Sequence, residues 1–146
     1  MKDKYMNLAL KEAKKAYLEN EVPVGAVIVK NDKIVSKKHN TKMKTNNILN
    51  HAEILAILDA TKKIGDWRLN NCEMYVTLEP CPMCAGAIRE SRIKKIYIGT
   101  YSNIDSNRKI LENIFNDREF HHSVEYEYIN DQSCSQILTD FFSNKR

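Results

Sequence analysis

"EMYVTLEPCPMCAGAIRESRIKKIYIG" (residues 73–99) is the stretch from which the fold can be read. "EMYVTLE" carries the β-branched and aromatic residues of a strand, and Pro80 stops it. Pro82 suits the first turn of a helix running through "MCAGAIRES", because the N–H it lacks is one the helix leaves unpaired there. "KKIYIG" is a further strand. Strand, helix, strand at this spacing implies a right-handed parallel crossover within one sheet. Working toward the N-terminus, "VPVGAVIVK" and "DKIVSKKH" are short β-branched runs joined through Lys30, Asn31 and Asp32, a hairpin with an Asn-Asp turn. Residues 4–19 place Tyr5, Leu8, Ala9, Ala13, Ala16 and Tyr17 at helical intervals with lysines opposite. Residues 40–50 form a loop, and Asn50 is the expected N-cap of an apolar helix that starts near His51 and ends before Gly65-Asp66. Past residue 101 the chain turns polar, with a helix expected over residues 108–115. "SVEYEYI" then makes a last strand, and Ile137, Leu138, Phe141 and Phe142 mark one face of a terminal helix. The expected architecture is a single α/β domain over residues 1–146, three layers (α/β/α) around a mixed sheet of about five strands.

At 146 residues one core suffices. The hydrophobic share of 42% and charged share of 29% are those of a soluble globular protein, and no apolar run approaches the roughly 20 residues of a membrane span. "MKDKYMNLALKEAKKAY" lacks an apolar run followed by a small-residue cleavage site, so no export is expected and the location is cytoplasmic. The four cysteines are then reduced thiols, with Cys72 and Cys134 as small buried hydrophobes. A net charge of +4 leans toward anionic partners such as nucleic acid. The lysines at 37, 38, 42 and 44, with Arg89, Arg92, Lys94 and Lys95, either line a phosphate track or make a solvated face.

Chemistry gathers at two helix starts. Residues two apart on a regular helix point to nearly opposite sides, so His51 and Glu53 converge only where their helix begins. Cys81 and Cys84 are three apart, which on a helix sets their Cβ atoms about 5 to 6 Å from each other. A tetrahedral zinc with Zn–S near 2.3 Å needs sulfurs about 3.8 Å apart, within reach of that spacing. Unpaired N–H groups at the helix start favour thiolate over thiol. Two thiolates and one imidazole are three donors, and three donors leave the open fourth position of a catalytic zinc. Glu53, close to His51 in sequence yet free of the metal, is placed to serve as the base beside an activated water.

His-x-Glu at 51–53 followed by Pro-Cys-x-x-Cys at 80–84 is the known signature of zinc nucleobase deaminases. "EVPVGAV", Asn40 after the second strand, "WRL", "YVTLEPC", "MCAGAI" with "SRI", and "DFF" near the end resemble one branch, the bacterial tRNA-specific adenosine deaminases. The resemblance implies a cytidine deaminase-like fold and one zinc per subunit on His51, Cys81 and Cys84. It further implies proton shuttling by Glu53 and substrate contact at Asn40 and Ala52. It implies a homodimer that converts the wobble adenosine of a tRNA anticodon stem-loop to inosine through a zinc-activated water. Judged on residue type alone, Asn40 reads as a strand-end cap or an Asx turn. The chain departs from the branch in reading Ile48-Leu49-Asn50 before the histidine, where Pro-Thr-Ala is usual. "GTYSNIDSNRKI" carries no glycine after Gly99 and places Ser102 where an acid is expected. These departures keep a second possibility open, a zinc deaminase of a free nucleobase or nucleoside (guanine, cytosine or adenosine). A third, of another class, is a non-catalytic zinc-stabilised interaction module, in which Glu53 would have no use.

Overall fold

In the computed structural model, which describes residues 2–144, eleven elements follow one another. They are α1 (Lys2–Leu18), β1 (Gly25–Lys30), β2 (Lys33–His39), α2 (Lys42–Thr45), α3 (Ala52–Ile64) and β3 (Cys72–Leu78). After these come α4 (Pro82–Glu90), β4 (Lys95–Thr100), α5 (Asp105–Asn116), β5 (Glu125–Tyr128) and α6 (Gln132–Ser143). The five strands form one mixed sheet in the order β2-β1-β3-β4-β5. β1 is antiparallel to both β2 and β3, while β3, β4 and β5 run parallel. The hairpin turn has Asn31 and Asp32 both at positive φ (50° and 61°), the pairing that matches the twist of the flanking strands.

Period-two alternation sorts the strands onto two cores. Ile28, Met74 and Ile96 lie side by side by register, as do Ala26, Val76 and Ile98, and pack with Ala52, Ala56, Ala85, Ile88, Leu111 and Phe115 of α3, α4 and α5. On the opposite face Val27, Tyr75 and Tyr97 lie in one row and pack with Tyr5, Met6, Ala9, Ala13 and Cys134 of α1 and α6. The Tyr75 and Tyr97 rings stack at 4.5 Å. This is the three-layer α/β/α arrangement the sequence predicts. Cys72 and Cys134 are fully buried and free, as expected of small hydrophobes. At Gly25 any Cβ would run into the Ala9 carbonyl and lie 2.7 Å from the Ala13 nitrogen, so α1 can rest directly on β1 only with glycine there.

Three local expectations change. The N-cap of α3 is His51, not Asn50, whose amide instead donates to Thr45 Oγ1 at 2.7 Å. The cap acceptor comes from outside the segment: Asn40 Oδ1 takes the Ala52 N–H at 2.7 Å. Within the expected loop 40–50 lies the single turn α2, whose start is held by the buried carboxylate of Glu21, accepting from Met43 N at 3.0 Å and Lys44 N at 2.7 Å. The α5 helix starts three residues earlier than the pattern indicated.

The α1 helix is tied to the hairpin through Glu12, a buried carboxylate 2.8 Å from Lys15 Nζ and 3.0 Å from His39 Nδ1. Burial alone would raise its pKa, but hydrogen bonds from His39 and Lys15 outweigh burial and hold it below the usual carboxylate range. A depressed folded value means that the unfolded chain binds the proton more tightly. The contribution to stability is therefore complete above the unfolded value of about 4.3 and is lost as pH falls through the folded one. The melting temperature should hold from neutrality down to about pH 5 and fall below it, and Glu12→Gln should lower it at pH 7 while flattening that acid limb. Thermal scans across pH test this; an acid limb equally steep in the variant would remove Glu12 from the explanation.

Candidate active site

Two helices begin at the carboxyl end of β3, and each begins on a potential metal ligand. His51 caps α3 (φ −80°, ψ 152°) and Cys81 caps α4 (φ −72°, ψ 168°), both in extended backbone and neither using its side chain to cap its own helix. Where serine or aspartate would fold back onto the helix N–H groups, imidazole and thiol instead turn toward a common point. Cys84, in the first turn of α4, completes the group from a fully buried position. His51 Nδ1 lies 3.7 Å from Cys81 Sγ and 3.4 Å from Cys84 Sγ. All three ligand atoms fall within 4.8 Å of one another, and among the described residues this is the one His/Cys/Asp/Glu group so assembled. Two sulfurs and an imidazole nitrogen are a donor set for zinc, one ion fits among them, and three protein ligands leave the fourth position to solvent or substrate.

The electrostatics agree. Cys81 is held down to about 4, first by the Cys84 thiol, which donates to it, and then by His51, against the opposing effect of burial. Cys84 is pushed well above the ordinary thiol range by the same contact and by burial, so the two sulfurs share one proton. The Cys81 contact raises His51. A dication held by the three residues would displace these shared protons, as thiolate ligation requires. Glu53, the second residue of α3, is 4% exposed, and burial, with the Cys81 sulfur adding to it, raises its carboxyl to about 7.

A cleft of about 470 Å³ opens onto this group. His51, Glu53 and Cys81 line its floor, and Val22, Val24 and Leu78 its apolar walls. Phe141 and Phe142 close one side, the first buried and the second 49% exposed. Asn40 also lines it, with Nδ2 donating to Val22 O at 3.1 Å and Oδ1 accepting from Ala52. Ala52 is fully buried and does not line the cleft; its N–H is bonded to Asn40. Of the basic residues singled out above, Lys42 lines the cleft, whereas Arg92 and Lys94 line a separate depression with His122. Sequence reasoning gave no role to Glu21 or to the side chains of Val22 and Val24, which a helical or strand pattern presents only as loop and core.

Residues 1–100 match the family described as the cytidine and deoxycytidylate deaminase zinc-binding region. A tRNA-specific adenosine deaminase of Bacillus subtilis (strain 168) is 41% identical over 143 residues, covering 97% of this chain and 89% of that protein. One of Aquifex aeolicus (strain VF5) is 39% identical over 145 residues, covering 99% and 96%. A solved structure from a study of A-to-I editing by tRNA:A34 deaminases at the wobble position of transfer RNA superposes with a TM-score of 0.84 at 33% identity, covering 93% of this chain and 99% of that one. With its profile matched through both halves of the metal cluster, and with relatives alike along nearly their whole length, the chain belongs to the cytidine and deoxycytidylate deaminase zinc-binding family.

Proposed function

We propose that this chain is a zinc-dependent hydrolase that deaminates the wobble adenosine of a tRNA anticodon to inosine. It acts as one domain over residues 1–146, in the cytoplasm and as a homodimer. The observation that carries this reading is the likeness of about 40% identity to tRNA-specific adenosine deaminases along nearly the full chain. The assembled cluster at the floor of an apolar cleft supports it. For the homodimer, support comes from the exposed apolar side chains of one loop, Met43 (70%), Ile48 (74%) and Leu49 (50%). No helix among the described residues is long and apolar enough to cross a membrane, which agrees with a cytoplasmic enzyme.

His51 Nδ1 and the Cys81 and Cys84 sulfurs are the metal ligands. When bound there, zinc supplies Lewis acidity that makes water a nucleophile near neutral pH. Glu53 is the catalytic acid and base: its carboxylate takes one proton from the attacking water and hands it to adenine N1, then takes the second from the new C6 hydroxyl and hands it to the departing amine as the C6–N bond breaks. Adenosine and water thus give inosine and ammonia. The valines and Leu78 enclose the base and exclude bulk water, and Asn40, held in place by the Ala52 N–H, contacts its edge. An anticodon adenosine is already unpaired, so turning it into the cleft costs little stacking. Phe142, at the cleft's side and half exposed, offers a ring face to a flanking base.

The assay is inosine formation in a panel of anticodon stem-loops, run beside free guanine, cytosine and adenosine. Conversion of a stem-loop adenosine, at rates that fall as salt rises, is the expected result, because phosphate contacts release counterions. An untouched stem-loop together with deamination of a free base, insensitive to salt, would move the assignment to a nucleobase deaminase.

A further inference from the structure

Cys81 is reached through a short segment, residues 79–81, that belongs to neither sheet nor helix. Its backbone is pinned at both ends: Glu79 N donates to Thr100 O at 2.9 Å, and Cys81 O accepts from Ala85 N at 2.9 Å. Pro80 has no N–H, so its carbonyl, which forms one side of the peptide joining it to Cys81, is the one backbone polar group through which it can be held. That carbonyl accepts from Asn107 Nδ2 at 2.9 Å, and the same nitrogen donates to Glu79 Oε1 at 2.7 Å. The second Glu79 oxygen, Oε2, accepts from Tyr128 OH at 2.7 Å. Glu79 is 3% exposed and Asn107 7%. Tyr101 stacks on the Tyr128 ring at 4.3 Å, and the Arg108 guanidinium sits 4.5 Å from the centre of the Tyr101 ring.

We propose that Glu79, Asn107 and Tyr128 form a buried clamp that positions Cys81 to ligate the metal. The clamp rests on the zinc site assigned above and acts without touching metal or substrate. Glu79 is the hub: neutral donors from α5 and β5 fix its two oxygens, and this in turn fixes the Asn107 amide over the Pro80 carbonyl. Rotation of the Pro80–Cys81 peptide would swing the Cys81 sulfur away from His51 Nδ1, and the Asn107 bond opposes that rotation. Two of the three members come from residues beyond 100, outside the span matched by the family. The link also ties the metal turn to the outer edge of the sheet, since β5 is the last strand in its order.

The test measures zinc affinity by chelator competition, together with the visible spectrum of the cobalt-substituted protein, whose thiolate bands report sulfur geometry. The whole chain is used as wild type, Asn107→Ala, Tyr128→Phe and Leu111→Ala. Leu111 is buried in the same α5 helix and makes no part of the clamp, so its loss destabilises the helix without loosening the turn. Asn107→Ala and Tyr128→Phe should weaken zinc by roughly 10- to 100-fold, the range seen when outer partners of a metal site are removed, and should shift the cobalt bands. Leu111→Ala should stay within about twofold of wild type, as expected where a change leaves the supports of a metal site intact. Wild-type affinity and spectrum in Asn107→Ala, or in Tyr128→Phe if the first variant does not fold, overturn the clamp, as does equal weakening by Leu111→Ala. Because the readout is metal and not deamination, a wild type that binds zinc yet leaves tRNA unchanged would refute the proposed substrate and leave the clamp standing. A wild type without zinc affinity would refute both.

Discussion

Replacing Glu53 with glutamine should reduce inosine formation by about 10²- to 10⁴-fold while zinc stays bound. The exchange keeps the shape of the side chain and removes its capacity to carry a proton. Glu53 lies outside the group of three ligand atoms, so the metal has no reason to leave. The residue is 4% exposed, and a buried position of that kind admits little bulk water to substitute for its carboxyl. The expected loss corresponds to roughly 3 to 5 kcal/mol of transition-state stabilisation, more than any surface contact could supply. Single-turnover rates with saturating stem-loop isolate the chemical step, and zinc content measured on the same preparation completes the comparison. An unchanged rate at full zinc occupancy would end the catalytic role assigned to Glu53 and would revive the reading of the domain as an interaction module.

A second large effect is expected at Cys84. Cys84→Ser replaces a fully buried soft donor by a hydroxyl that does not ionise near neutrality. Structural zinc sites bind with about 10 to 16 kcal/mol over four ligands, so one ligand accounts for about 3 kcal/mol, and zinc affinity should fall by roughly 10²-fold or more. Activity should disappear with the metal. Cys72→Ser and Cys134→Ser provide the contrast. Both cysteines are buried and take no part in the ligand group, one packed in the core under α3 to α5 and the other under α1 and α6. Burial pushes the Cys134 thiol up to about 12, the behaviour of an inert packed side chain. Those variants should melt earlier and bind zinc as the wild type does, measured by chelator competition. Loss of zinc in either would mean that the ligand set had been read wrongly.

What could be read from the sequence follows from how far apart the interacting residues are. "PCPMC" and "HAE" are local patterns, in which a cap position, a first turn and a proline together fix where each side chain points, and the structure brings His51, Cys81 and Cys84 together. The crossover from β3 through α4 to β4 was legible because its hydrophobic period changes from two to 3.6 and back within one short stretch. Distant polar partners left no such trace. Asn50 satisfies every local rule for an N-cap, yet the acceptor for the Ala52 N–H comes from Asn40, twelve positions before Ala52. The α2 turn hides inside a polar loop because the carboxylate holding its start belongs to Glu21, which lies 22 positions before Met43. Asn107 sits in a stretch with no glycine and little apolar signal, and its two acceptors lie 28 and 27 positions back. A single buried amide has no period, so only the fold can reveal it.

Metal analysis joined to X-ray absorption at the zinc edge addresses the central claim most directly. The expected result is one zinc per chain with two sulfur neighbours, one imidazole nitrogen and a light atom from solvent, in keeping with the His51, Cys81 and Cys84 group. A protein purified with no zinc and unable to take it up, or a shell closed by a fourth protein ligand, would contradict the account.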